Sequence, residues 1–123
     1  MGIEALRVRH EVIQTPEGDA VGCSYQWPGG QYCVIHTDRG ILGCGIYDCD
    51  IATRFQMAVA ICRGTPESPL RQPEDLLAAQ IAEVSREAAI LGIQPGMLGR
   101  EALRRFLENG PTDSPSIPTK RPD

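Results

Sequence analysis

Ile41-Leu42-Gly43-Cys44-Gly45-Ile46-Tyr47-Asp48 is the stretch on which the fold turns. An apolar pair leads into a thiol held between two glycines, and an acidic residue follows. Such a run brings Cys44 to a strand end with little side-chain cover, because neither neighbour carries a side chain. Gly45 is expected to lie where a bulky residue such as Val would crowd the strand end. Just upstream, Thr37-Asp38-Arg39-Gly40 has the composition of a hairpin turn, and Gly40 can supply the positive φ that closes a type I turn with a bulge. Tyr32-Cys33-Val34-Ile35 precedes it as a short continuous apolar run, as expected of a strand covered on both faces. The hairpin sets Cys44 beside Cys33 or Val34, depending on a one-residue register. His36 falls nearer Ile41 or Leu42.

Working outward, the first half reads as strands. Leu6, Val8, His10 and Val12 alternate with Arg7, Arg9 and Glu11, the period-two pattern of a half-buried strand. Thr15 to Asp19 is a turn by composition. Val21, Cys23, Tyr25 and Trp27 alternate with Gly22, Ser24 and Gln26 in a second strand, which Pro28-Gly29-Gly30 breaks. After Gly45 the period changes. Asp48 can cap a helix running to about Met57, and Ala58 to Cys62 is a short buried strand. Gly64 to Gln72, with Pro66 and Pro69, is a loop. Pro73 suits the first position of a helix, with Glu74 and Asp75 favourable in its first turn. Ile81, Val84, Ala88 and Leu91 recur at helical spacing and are expected to form one stripe of that helix. Gly92 can end it in the left-handed conformation, with Ile93 folding back. Ala102, Leu103, Phe106 and Leu107 mark the face of a last helix, which Asn109-Gly110-Pro111 stops. Residues 1–108 therefore read as a single α+β domain, antiparallel strands and hairpins first and helices packed on the sheet afterwards. Residues 109–123, rich in Pro and Ser, read as a disordered tail.

Composition narrows the function classes. The 123 residues suit one domain. Aromatic residues make up only 5%, so the core rests on Ile, Val, Leu and Ala. The net charge is −4, from 12 basic and 16 acidic residues, with no basic block to meet phosphates; a nucleic-acid partner is disfavoured. No apolar run approaches the roughly 20 residues that span a bilayer. The start lacks the basic and apolar regions of a secretory signal, and Leu6 occupies the position where a myristoylation motif has Ser or Thr. The expected compartment is the cytoplasm, where the five cysteines are free thiols. Cys23, Cys33 and Cys62 read as small packed hydrophobes. Cys49 reads as a helix-surface or interface residue.

Few residues carry the marks of a site. Cys44 reads either as a packed thiol whose flanking glycines permit close backbone contact or as the candidate nucleophile, whose thiolate the positive end of the helix after it could favour. Asp48 is the candidate acidic partner, although helix capping also explains it. Gly43 and Gly45 would let a ligand or backbone approach. Gly99 and Arg100 belong to a glycine-rich helix start that could take an anion, or serve as a tight inter-helix turn. Cys44, Asp48, Cys49, His36 and His10 are metal-ligand types, but their spacing matches no ligand pattern, so neither a metal nor a cofactor is assigned.

The ordered set of motifs resembles the YunC-like family, domain of unknown function 1805. Two stretches carry the likeness. Asp38 to Asp48 is similar to the family's turn glycine, apolar strand, Cys-Gly and Asp. Leu91-Gly92-Ile93-Gln94-Pro95-Gly96-Met97-Leu98-Gly99-Arg100-Glu101-Ala102-Leu103 is similar to its Gly-Ile, Gly-Met and Gly-Arg-Glu-Ala-Leu ending. Glu74-Asp75-Leu76-Leu77 resembles its acidic helix start. The likeness spans roughly residues 5 to 107. It departs from the pattern in a longer Thr65–Gln72 loop, in Leu98 where a small polar cap is usual, and in the Pro-rich tail. The resemblance implies a small α+β fold whose N-terminal β region forms a homo-oligomer, a tetramer in the implied assembly. It supplies no activity. The reading that follows is a cytoplasmic homo-oligomeric module, structural or binding a small molecule. The alternative is a thiol-dependent hydrolase or transferase using Cys44.

Overall fold

The computed structural model describes residues 5–108. Strand β1 (Arg7–Thr15), β2 (Gly18–Trp27), β3 (Gly30–His36) and β4 (Gly40–Gly43) run as consecutive antiparallel neighbours. Helix α1 (Cys49–Arg54) then crosses over to β5 (Ala58–Cys62), which lies parallel to β4. Helix α2 (Pro73–Ala78), β6 (Ile81–Val84), α3 (Arg86–Ile90) and α4 (Gly99–Glu108) complete the described chain. The strands form one six-stranded sheet in sequence order. The α+β class, with β hairpins ahead of the packed helices, is as the sequence indicates; the parallel β4–β5 pair makes the sheet mixed. The Pro/Ser-rich segment 109–123 lies outside the described residues.

Two hairpins close with the same device. Thr15 Oγ1 donates to the Gly18 carbonyl at 2.7 Å and accepts from the Glu17 and Gly18 N–H groups. Thr37 Oγ1 does the same to the Gly40 carbonyl at 2.7 Å and accepts from the Arg39 and Gly40 N–H groups. A threonine at the first turn position thus satisfies the backbone groups that the short loop leaves unpaired. Gly40 is not among the positive-φ glycines, which corrects the expectation of a bulged turn there. Its glycine has a steric reason instead: a Cβ would lie 2.2 Å from the Ala58 carbonyl oxygen and 2.8 Å from the Phe106 ring.

The two faces of the sheet are covered unequally. One face carries Ala20, Cys33, Ile35, Leu42, Ala58, Ala60 and Cys62, and it packs with Leu76, Leu103 and Phe106 of α2 and α4. On the opposite face Val59 and Ile61 pack against Cys49 and Ala52 of α1. Beyond α1, the β1–β2 part of that second face is open. Val8, Val12, Val21 and Trp27 are 47%, 63%, 41% and 41% exposed. The register puts them together, with Val8 opposite Tyr25 and Val12 opposite Val21. Alternation is therefore present in β1, but its apolar side is not the side the chain covers, which corrects the half-buried reading. The charged side meets the helices: Arg9 donates to Gln72 at 2.7 Å, and Pro73 sits where a side chain at Gly22 would be.

The long helix expected from Pro73 to Leu91 is replaced by α2, β6 and α3. Residues after Ala78 are drawn out by backbone partners on both sides. The Ala79 carbonyl accepts from Gly99 at 2.8 Å, Ile81 N–H donates to Met97 at 2.7 Å, and β6 pairs with β5. Ile81 and Val84 are strand residues, whose β-branching suits that state. Gly92 does end α3 with φ of 93°, and Ile93 folds back to the Ala88 carbonyl as expected.

Ser85 holds this junction. Its Oγ donates to Met57 at 2.7 Å and accepts from Val59 N–H at 2.9 Å and Ala88 N–H at 3.3 Å, with the residue 1% exposed. It caps α3 and fastens the start of β5 at once. Ser85→Ala leaves buried partners without a bond, so urea unfolding is expected to show a loss of about 2–3 kcal/mol. A loss below about 0.5 kcal/mol would contradict this role.

Candidate functional site

The β3–β4 hairpin pairs Val34 with Gly43, Ile35 with Leu42 and His36 with Ile41. One step further, Cys44 N–H donates to the Cys33 carbonyl at 3.3 Å, so the open register resolves in favour of Cys33. On the other side Gly43 pairs with Ile61, which brings Cys62 alongside Cys44. Cys33, Cys44 and Cys62 thus form a row on the face covered by α2 and α4. Cys33 and Cys62 are fully buried and Cys44 is 8% exposed. The Cys33 sulfur lies 3.7 Å from the carbonyl oxygens of Leu70 and Gln72, and the Cys62 S–H donates to the Leu76 carbonyl at a sulfur–oxygen distance of 3.5 Å.

These surroundings split the three thiols. The Cys33 S–H bonds to the Cys44 sulfur and favours its thiolate, backbone hydrogen bonds from Cys33, Ile46 and Cys44 itself add to this, and burial opposes it; the pKa of Cys44 falls to about 6. Cys33 is pushed up, first because it gives that bond and then by burial. Cys62 is pushed up to about 12 by burial and by the charge of Cys44. Tyr47 is pushed up as well, by burial and then by Cys44. Its ring meets Tyr32 edge-on at 6.4 Å, and Tyr32 stacks on Tyr25 at 4.5 Å. The Cys44 thiolate is therefore sustained by a neighbouring thiol and backbone groups, whereas the sequence suggests the helix dipole.

Asp48 caps α1: its Oδ1 accepts from Asp50 N–H at 2.8 Å and Ile51 N–H at 3.1 Å. His36 is exposed, opposite Ile41. His10 is exposed on β1, opposite Cys23. Among the described residues no group of three or more His, Cys, Asp or Glu is arranged to hold a metal ion.

The two glycines beside Cys44 differ in a way the sequence does not convey. A Cβ at Gly43 would meet the Tyr47 ring at 2.5 Å. A Cβ at Gly45 would meet only the Cys62 carbonyl oxygen, at 4.0 Å, and Gly45 is exposed. The expected crowding at Gly45 is therefore corrected to Gly43. Cys49 is also corrected: it is 6% exposed, packs under α1 against Val59, and burial raises its pKa to about 11.

Gly99 and Arg100 lie apart from the thiol row. A Cβ at Gly99 would fall 1.8 Å from the Leu76 carbonyl oxygen, so Gly99 lets α4 touch α2. The N–H groups of Gly96, Met97 and Gly99 donate to Ile81, Gln94 and Ala79, and are not directed at an anion. Arg100 lines a groove of about 270 Å³ with Thr15, Glu17, Glu101, Leu103 and Arg104. Two carboxylates balance its guanidinium groups; Glu101 bonds Arg104 and Arg105.

The residue missed from sequence is Tyr47 as a neighbour of Cys44, while Cys33 is one of the two alternatives the sequence leaves open. One signal could have selected Cys33: it and Cys44 stand equally far from the turn pair Asp38-Arg39, so a two-residue loop without a bulge sets them opposite each other.

The molecule is thus a small α+β domain with a mixed sheet and a buried thiol of lowered pKa where β4 hands over to α1. The chain belongs to the family described as Domain of unknown function (DUF1805), which it matches over residues 43–106. That match begins at Gly43, the last residue of β4, and runs through α1, β5, α2, β6 and α3 into α4. A solved structure with a similar fold is the protein of unknown function TA1206 from Thermoplasma acidophilum, at 17% identity and a TM-score of 0.75, covering 86% of this chain and 99% of that one. No curated protein matches.

Two outcomes follow. Alkylation of the folded protein by iodoacetamide should modify Cys44 first, with a rate that rises through about pH 6 and levels by pH 8, because the thiolate reacts and the groups facing it (Cys33, Cys62 and Tyr47) stay protonated in that range. Peptide mass mapping checks this; a Cys44 rate still climbing above pH 8, like that of free cysteine, would contradict it. Gly43→Ala should cost about 1–3 kcal/mol in urea unfolding by displacing Tyr47, while Gly45→Ala should change stability by less than about 0.5 kcal/mol.

Proposed function

We propose that the protein is a cytoplasmic homo-oligomeric module, structural or binding a small molecule, whose copies pack through the β1–β2 side of the sheet. One observation carries the reading: Leu6, Val8, Val12, Val21 and Trp27 form a single apolar surface that no element of the described chain covers. Strands that alternate apolar and polar residues are built to bury one side, and a large exposed apolar patch marks an interaction surface. Ile51 of α1 and its C-cap residue Phe55 are also exposed, at 48% and 69%, on the helix that packs on this side of the sheet. A symmetric pairing of like patches is the commonest way for a soluble chain to cover such a face. The tetramer implied by family resemblance fits a sheet face and a strand edge both being covered. The cytoplasmic assignment is supported by five unpaired cysteines, and among the described residues no helix is long and apolar enough to cross a membrane.

A second reading, a thiol-dependent hydrolase or transferase, is favoured by the lowered pKa of Cys44. In that reading Cys44 is the nucleophile, and Cys33 holds the proton that would otherwise neutralise it.

Light scattering on a sizing column tests the first reading. The native chain should give a multiple of its 13.4 kDa mass at micromolar concentration. Val12→Lys combined with Val21→Glu should lower that mass with unchanged circular dichroism, since both sites are exposed in the single chain. A strictly monomeric native chain would sink the proposal.

A further inference from the structure

We propose that Cys44 and Cys33 are a peroxide-sensitive thiol pair that closes an intrachain disulfide across the end of the β3–β4 hairpin. The inference goes beyond both functional readings, and it requires neither a substrate nor an oligomer. It stands on placement. The two cysteines are opposed one step beyond the last paired residues of the β3–β4 hairpin, Val34 and Gly43, with Cys44 N–H bonded to the Cys33 carbonyl at 3.3 Å. Opposed residues of an antiparallel pair have Cα atoms roughly 4.5–5.5 Å apart, inside the roughly 4.4–6.8 Å that a disulfide spans. Opposed Cβ atoms stand roughly 4.5–5.5 Å apart against the roughly 3.5–4.5 Å of a disulfide, so the bond forms with a small approach of the two strand ends.

The two thiols also have different roles. Cys44 follows the last residue of β4 and is the more exposed, beside the exposed Gly45 and Ile46, so a small oxidant reaches it first. Its thiolate attacks a hydroperoxide: an S–O bond forms, the O–O bond breaks, sulfur loses two electrons, and hydroxide or alkoxide leaves. The product is a sulfenic acid. The sulfur of Cys33 then attacks the Cys44 sulfur; the S–S bond forms, the S–O bond breaks, and the Cys33 proton leaves with the hydroxyl as water. Oxidation itself prepares the second step. The charge on Cys44 that holds the Cys33 proton in place is gone once the sulfenic acid forms. Cys62 is the competing neighbour, but its S–H is directed at the Leu76 carbonyl. Closing the bond also leaves the Leu70 and Gln72 carbonyls, 3.7 Å away, facing a sulfur that carries no proton, which ties the redox state to the segment leading into α2.

The test treats the reduced full-length protein with hydrogen peroxide and maps its peptides without reduction. Cys33 linked to Cys44 should be the main product, and Cys44 should be consumed at least about tenfold faster than Cys62. Cys62→Ser should leave the linkage unchanged. Cys33→Ser and Cys33→Ala should each let a dimedone-trapped sulfenic acid accumulate at Cys44, which over-oxidises instead of closing. The wild-type map needs no substitution, so poor folding of a Cys33 variant does not blunt the test. Cys44 linked to Cys62 in the native protein, or Cys44 oxidised without any link to Cys33, would overturn the proposal. Either result would leave the alkylation profile of Cys44, and with it the hydrolase or transferase reading, untouched.

Discussion

The register of the β3–β4 hairpin governs the rest of this structure. Val34 faces Gly43, and the Thr37 side chain closes the turn that enforces this pairing. A slip by one residue would exchange the faces of β4. Leu42 would leave the main core for the α1 side, and Cys44 would part from Cys33. The slip is resisted at several points together. Gly40 must pass within reach of the Ala58 carbonyl, and Gly43 must lie beneath the Tyr47 ring. Only glycine fits either place. The two glycines, the first and last residues of β4, pin the short strand at both ends.

The sheet they pin is asymmetric. Helices α2 and α4 build a dense apolar layer on one face, with Phe106, Ile35 and Leu42 almost fully buried. On the other face α1 reaches only β4 and β5, through Ala52, Cys49, Val59 and Ile61. A six-residue helix cannot extend over six strands, since neighbouring strands lie roughly 4.8 Å apart. The β1–β2 hairpin is consequently the part of the sheet least provided for by its own chain. Its charged side, with Arg9 and Glu11, is turned towards α2, and Glu74 of α2 raises the pKa of Glu11.

At the other end of β4 the same geometry concentrates thiol chemistry. Burial raises the pKa of a cysteine, as at Cys62 and Cys49, where nearby negative charge adds to it. Cys44 moves the opposite way because Cys33 gives it a hydrogen bond and the Gly45–Ile46 turn supplies backbone donors. Three cysteines side by side therefore hold unlike charge states. The difference comes from which sulfur gives a proton and which receives it.

Much of this architecture could be read from the amino-acid order. The Thr37–Gly40 turn, the Ala58–Cys62 strand, the Asp48 cap, the Gly92 stop and the apolar face of α4 are each local, and each follows from turn chemistry, capping or periodicity within a few residues. The prominence of Cys44 between its glycines was legible for the same reason. Three matters were settled only by distant partners. Residues 79–84 leave the helical state because Met97, Gly99 and β5 offer them backbone bonds. The apolar side of β1 faces outward because α2 and α4 pack on its charged side. The acidity of Cys44 depends on Cys33, eleven positions earlier. Periodicity can say that a strand has two unlike sides; it has no means of saying which of them the rest of the chain will fold over, because that depends on packing against residues far away in sequence.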